Sequence, residues 1–507
     1  MQRTGRSVAN FGSGLMLQVM TLSIGIISTP LLLNWLGDER YGAFRTATDW
    51  GNYLNLLELG LTGSLVALLA KAVGIGERQQ IRLTLATGIK AYLKIMIVKI
   101  LAGVGLGLFI TQLVPVEGVL VNELQTGYWL GFLAIFLFPL VPFRLLADAS
   151  QRGYFTNIFI MFQSLLITGL SLLLASRGFG ITGQYIAVLV GNIGFQLLMC
   201  WDGLRRYPDV FLVIKDFPTQ KPIEKQLWQL NKSTFLLRLS GQFGLFTDNI
   251  IISYFLSPVT VVPFFVTQRL ASLAQTQIQG IGNATWAALA NLYATGEMEK
   301  FNARLIELTR LVTVMGVTLM VSINAYNYHF LKLWVGEDRF GGDILTLLAT
   351  SNGLLLGLLS LWSWCFSGTG NQPKLVKPAT ISAGINFVTS IISTQFFGII
   401  GPLLGTFIAF TTVNIWQLPL LLREVFGTSL KKLFLAVAQP LGFGIPYGLV
   451  VWLIAKNHTP WGWLGLAVEM SLSAIIYFVI AWLFILNQSE RQIWIDRFNI
   501  LFSRFRS

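Results

Sequence analysis

Val8–Leu36 reads VANFGSGLMLQVMTLSIGIISTPLLLNWL, a stretch without a single charged residue. A helix crossing a bilayer needs about 20 predominantly apolar residues, so this segment is long enough to span. It is also too long for a signal-peptide core and lacks the small-residue cleavage pattern of one, with Arg3 and Arg6 just ahead of it. We read it as an uncleaved first span.

The same kind of run recurs near 43–70, 86–114, 127–148, 154–176 and 180–203, then near 233–256, 260–291, 305–332, 343–368, 375–397, 400–422, 433–455 and 461–487. The whole chain is 54% hydrophobic and only 12% charged, against about a quarter charged in soluble domains. Lipid is the solvent for most of it. Inside hydrocarbon the backbone polar groups must be satisfied within the protein, which leaves helix bundles and closed barrels. The unbroken runs lack the alternation of a barrel strand. The expected fold is therefore all-α, a polytopic transmembrane helix bundle of about 14 spans.

The runs group as six, six and two. That division suggests two pseudo-symmetric six-helix lobes, 1–203 and 233–423, joined by a polar cytoplasmic linker at 204–232 that contains RRYPDV and KDFPTQKP. A two-helix hairpin at 424–487 and an amphipathic tail at 488–507 follow, the tail placing Trp494, Phe498, Leu501, Phe502 and Phe505 at helical spacing. With the amino terminus inside, most of the 36 Lys and Arg fall at or near the inner face; both termini are then expected to be cytoplasmic. The net charge of +13 reads as this topological signal and not as a nucleic-acid surface, because the basic residues sit in short segments between apolar runs. WLGDERYG from Trp35 and WVGEDRFG from Trp334 read as caps, with glycine ending a helix and tryptophan at the interface.

Charged residues at membrane depth cost about 2.5–3.5 kcal/mol each on insertion scales and normally face a cavity or a partner. Steps of three, four and seven residues put Asn231, Thr234, Arg238, Gln242 and Asn249 on one stripe of the seventh span, beside Asp248. Gln268, Ser272 and Gln275 recur likewise in the eighth, with Arg269 adjacent and Gln279 and Gly282 extending the row. The second span has Arg45, Asp49 and Asn52 on one face but Asn55, Glu58 and Thr62 on another, near Gly60 and Gly63. A local bend would reconcile the two faces. Simple charge pairing that holds helices together is the alternative for any one of these residues. Lys90, Lys94 and Lys99 of the third span are expected to snorkel to the interface, and Arg144 and Asp148 have ion-pair spacing.

Enzyme signatures are missing: no long hydrophilic segment, no G-x-x-x-x-G-K-[ST] loop, and no His/Cys cluster for zinc. The two cysteines, Cys200 and Cys365, lie in separate apolar runs and read as packing residues. No cofactor, metal or nucleic-acid partner is expected. Non-enzymatic carriage of an amphiphile across the bilayer is.

TPLLLNWLGDERYGAFR and YLNLLELGL after the first span, TDNIIISYFL in the seventh, ATWAALANLYATGEMEKFNARLIEL from the eighth to the ninth, and SGTGNQP after the tenth resemble the polysaccharide-transport branch of the multidrug/oligosaccharidyl-lipid/polysaccharide flippase superfamily, the Wzx-like O-antigen flippases. The resemblance implies two six-helix lobes around a cavity lined by the first, second, seventh and eighth helices, and alternating access in a prokaryotic inner membrane. It implies as substrate a polyprenyl-diphosphate-linked oligosaccharide, alongside membrane lipids, with glycosyltransferases and a polymerase of the same pathway as partners. Arg238 and Arg269 would then attract the diphosphate, Gln242, Gln268, Gln275 and Asn249 would meet the sugars, and Asp49, Glu58, Asp248 or Arg45 would balance charge or bind a coupling ion. Asp49 and Arg269 stand at places matching residues that matter in lipid II flippases. A cation-coupled multidrug exporter of the same superfamily and, further off, a membrane polysaccharide polymerase are the alternatives.

Overall fold

The computed structural model of the chain describes residues 3–58, 60–208, 224–225, 227, 237, 247–486 and 491–492. The expectations for Asn231, Thr234, Arg238 and Gln242, and for most of the 204–232 linker and the 488–507 tail, lie outside the described residues.

α1 (Arg3–Tyr53) is continuous by hydrogen bonding, yet Gly37 inside it has φ 75° and ψ 167°, a conformation that favours glycine. Its partners show that the chain reverses there. Near its start, the Asn10 side chain accepts from the Tyr154 amide at 2.6 Å and donates to the Gln151 carbonyl at 3.4 Å, at the turn between α5 (Val141–Ala149) and α6 (Gly153–Ser176). Just past Gly37, Arg40 forks onto Glu123 at 2.9 Å, in the first turns of α4 (Val119–Phe132), and Glu123 accepts from the Ile181 amide where α7 (Gly180–Arg206) begins. Those are opposite ends of the same helices, so α1 crosses once before Gly37 and starts back after it. The echo at Trp334 does likewise: Gly336 has φ 98° and ψ 149°. Both motifs end a helix on glycine, as expected.

The returning helix is interrupted by a 3-10 turn at Leu54–Glu58 and a left-handed Gly60 before α2 (Leu61–Ile75). α3 (Arg78–Leu113) crosses next. The described part of a helix at 247–255, here α8, follows α7, and then come α9 (Pro258–Thr267), α10 (Arg269–Ala294), α11 (Met298–Trp334) and α12 (Asp343–Gly368). α13 (Val376–Phe397) reverses at Gly398, φ 60°, into α14 (Gly401–Ala409), which continues through a π-helical turn into α15 (Ile415–Phe426). α16 (Leu430–Asn457) and α17 (Gly462–Ile480) complete the set. Ten stretches of the described residues are long and apolar enough to cross a membrane, two of them each holding a reversal, and with the helices at 247–255, Pro258–Thr267 and Arg269–Ala294 they make the polytopic all-α bundle read from the sequence. This is a multi-pass membrane protein.

The chain divides into two compact units, Met1–Val262 and Pro263–Ser507. In the first, Leu61, Leu65 and Leu69 of α2 pack with Leu85 and Tyr92 of α3 and Phe143 of α5. Arg144 and Asp148 lie 3.8 Å apart as their spacing suggests, while Arg152 forms a buried two-point pair with Asp202 at 2.6 and 3.1 Å. Cys200 and Cys365 are both buried.

In the second unit, helices approach through small residues, because lipid gives apolar side chains no incentive to associate and close packing must supply the attraction. Gly401 and Gly405 stand one turn apart on α14 with α13 directly against them. A Cβ at Gly401 would lie 2.2 Å from the Thr394 nitrogen, and one at Gly405 2.5 Å from the Ser390 nitrogen. Ser390 donates to Asn386 at 2.8 Å within that seam. Gly405→Val is expected to lower the melting temperature of the purified protein by several degrees, as overpacking costs about 1–3 kcal/mol. Gly384→Val, where an added Cβ meets open space, is the control that should leave it within about a degree.

Candidate functional site: a polar seam along the second span

The bend expected in the second span is present, and it organises the polar residues of the first unit. Before the bend, Asp49 is 7% exposed and accepts a 2.7 Å hydrogen bond from the Asn249 side chain of α8. Asn52 also bonds the Asp49 carboxylate, and Arg45, one turn earlier, attracts it. One turn on, the Tyr53 and Thr247 hydroxyls meet at 2.5 Å. Asp248, between Thr247 and Asn249, is half-buried and feels the Asp49 charge. Asp49 and Asn249, expected in different roles, are thus direct partners.

The bend frees backbone N–H groups that the regular helix would have satisfied. Glu58 supplies one replacement: its carboxylate accepts from the Thr62 amide at 3.0 Å, capping the start of α2, and from the Tyr92 hydroxyl at 3.1 Å. Thr62 and Tyr92 also share a 2.9 Å bond. Lys99, two turns along α3 from Tyr92, is 5% exposed, donates to Asn55 at 3.0 Å and stands 4.0 Å above the Phe138 ring. Glu58 is near enough to attract the ammonium.

Lys99 therefore does not snorkel. Its ammonium turns inward because the 3-10 turn presents Asn55 and Glu58 to it, and a charge at that depth needs such partners. Lys94, by contrast, reaches Glu224 at 2.6 Å with its side chain 59% exposed, in keeping with snorkelling. Tyr92 is the site residue that sequence reasoning missed, and Lys99 and Asn55 are the ones it named without pairing them. The signal available was the mismatch between the two polar faces of the second span, which required a break and so a set of partners for it. Asn55 is exposed, so the seam opens at that point.

The remaining candidates lie in the second unit. α10 begins at Arg269 after a break at Gln268, and the guanidinium stands 6.0 Å from the Phe265 ring. Ser272 bonds the Gln268 carbonyl at 3.0 Å. Gln275 and Gly282 are on the side of α10 turned to α12, where an added Cβ at Gly353 would sit 3.4 Å from Gln275 and one at Gly282 would sit 3.3 Å from Leu361.

Taken together, the first unit holds three carboxylates, Asp49, Glu58 and Asp248, and two bases, Arg45 and Lys99, along one interrupted helix and its neighbours. At low effective dielectric such groups interact strongly and balance one another. An arrangement of this kind can accept a charged group by exchanging partners.

No family model matches the chain. The Bacillus subtilis (strain 168) protein described as "Uncharacterized membrane protein EpsK" is 22% identical over 511 residues, covering 96% of this chain and 97% of that one. Among solved structures, the lipid II flippase MurJ in its inward closed conformation superposes with a TM-score of 0.69 at 15% identity, over 94% of this chain and 98% of MurJ. An inward-facing multidrug resistance MATE family transporter of the MOP superfamily gives 0.61 at 16% identity, over 81% and 97%. The chain shares their fold.

Glu58 is the carboxylate that attracts the Lys99 ammonium, and removing one of two opposite charges at depth leaves the other uncompensated, while replacing both by uncharged groups is far milder. Lys99→Met is expected to lower the melting temperature in detergent markedly, and Lys99→Met with Glu58→Gln to restore most of it. A double variant no better than the single would show that the two residues act independently.

Proposed function

We propose that this chain is a flippase that moves a polyprenyl-diphosphate-linked oligosaccharide from the cytoplasmic to the outer leaflet of a prokaryotic inner membrane, for cell-surface polysaccharide synthesis. The observation that supports it most is the row of Asp49, Asn249, Glu58 and Lys99, charges of both signs largely withdrawn from the surface, inside a membrane bundle whose fold is shared with a lipid II flippase. The lipid tail of such a substrate is already at home in the bilayer. The protein need only shelter the diphosphate and the sugars.

In this reading Arg269, with Arg238, attracts the diphosphate by charge-assisted hydrogen bonds, and Gln242, Gln268, Gln275 and Asn249 bond sugar hydroxyls. Asp49, Glu58, Asp248 and Arg45 keep the empty site neutral or take the coupling ion. Both termini are cytoplasmic, and glycosyltransferases and a polymerase act before and after transport. The second reading, a cation-coupled multidrug exporter, draws on the three carboxylates of the seam and on the fold shared with the MATE transporter.

The test uses proteoliposomes and a fluorescent polyprenyl-diphosphate oligosaccharide whose outer-leaflet fraction is bleached by an impermeant reductant. A hydrogen bond to a charged group contributes about 1.5–3 kcal/mol, so Arg269→Ala and Asp49→Ala are each expected to slow flipping about tenfold or more, with Arg269→Lys intermediate. Unchanged rates in correctly inserted variants would contradict the assigned roles. Efflux of organic cations without any lipid flipping would instead establish the exporter.

A further inference from the structure

The second unit carries a cavity of about 390 Å³ walled by α11, α12 and α16. Its sides are apolar, among them Val321, Leu347, Leu441, Ile445 and Leu449. Gly444 and Gly448 of α16 open it: an added Cβ would lie 2.2 Å from Val317 at the first and 3.1 Å from Val321 at the second, so α16 lies close on α11 and leaves a cleft beside the contact. From Leu441 to Trp452 the groove follows α16 for roughly 17 Å at about 1.5 Å per residue, near half the ~30 Å hydrocarbon thickness. Its length is that of a chain from one leaflet, lying along membrane-spanning helices.

The mouth of this groove is polar in two senses. Asp343, the first residue of α12, lines it, and among the described residues has no hydrogen-bond or ion-pair partner. Trp452 lines it too and holds the Lys456 ammonium 4.7 Å from its ring centre. A carboxylate therefore lines the end of an apolar, leaflet-deep groove, and an ammonium lies one turn of α16 beyond the tryptophan that lines it, where interfacial tryptophans sit.

We propose that this groove binds a zwitterionic aminophospholipid, one acyl chain in the cleft, the phosphate at Lys456 and the primary ammonium at Asp343. The two charges have the signs that such a headgroup calls for. A choline headgroup offers Asp343 no N–H donor, and an anionic glycerol headgroup offers it no cation, so charge-assisted hydrogen bonding selects the primary amine. The site is separate from the seam of the first unit and stands whatever the transported substrate is.

Native mass spectrometry of the delipidated full-length protein, titrated with phosphatidylethanolamine, phosphatidylcholine and phosphatidylglycerol, tests it. The wild type is expected to retain one phosphatidylethanolamine with about tenfold preference over the other two. Asp343→Asn should abolish that preference, and Leu347→Trp, which fills the cleft, should abolish retention itself. Asp343 also sits in the first turn of α12, where a carboxylate favours the helix, so the lipid-free melting temperature of Asp343→Asn is measured alongside. If that variant does not fold, the headgroup ranking on wild type and the Leu347→Trp result decide. Equal retention of the three lipids, preference for phosphatidylglycerol, or a preference that survives either substitution would overturn the proposal.

Discussion

A backbone that leaves the α-helical hydrogen-bond pattern at membrane depth must find its partners inside the protein, because hydrocarbon offers none. The second span does this at Leu54–Glu58 and again at Gly60, and much of the first unit is arranged to permit it. Glu58 caps the restarted helix through the Thr62 amide, Tyr92 holds the same carboxylate from α3, and Lys99 supplies the counter-charge while fixing Asn55. The leucine core of α2 and α3 packs around this point. One carboxylate thus serves as a helix cap, a hydroxyl partner and a counter-charge; a glutamine there keeps an acceptor for the first two and gives up the third.

The same break sets the geometry of what precedes it. It allows the face bearing Arg45, Asp49 and Asn52 to meet α8, where Asn249 and Thr247 receive Asp49 and Tyr53. The polar residues fall in two groups along the span: Asp49 with Asn249, Asn52 and Arg45, and Tyr53 with Thr247, before the break, and Asn55 with Lys99, and Glu58 with Tyr92 and Thr62, at it. A regular helix would have turned Asn55 and Glu58 onto a different face from Asp49. In a carrier, an interrupted helix lined by charges of both signs is a place where partners can be exchanged, which connects this constraint to the proposed function.

The crossings were legible because each needs a long apolar run, and a window of about 20 residues finds it directly; the 343–368 run matches α12 end to end. Gly37 and Gly336 were legible as helix ends because glycine adopts positive φ without strain. The site was legible only in part. Asp49, Glu58 and Asp248 stand out because a carboxylate in an apolar run is expensive, but that Asp49 binds Asn249, two hundred positions away, depends on packing that no local pattern encodes. Lys99 was misread for a related reason. Lysines near a helix end usually snorkel, and only the 3-10 turn on a neighbouring span makes the inward rotamer the satisfied one.

The central claim is that the seam serves an amphiphile with an anionic head. The most direct measurement compares reconstituted flipping of two lipids that share one polyprenyl chain and one sugar, differing only in whether a diphosphate or an uncharged ether joins them. The expected result is transport of the diphosphate lipid at least about tenfold faster than the uncharged one, the ratio that one charge-assisted hydrogen bond provides. Equal rates for both lipids, or faster movement of the uncharged one, would contradict the claim.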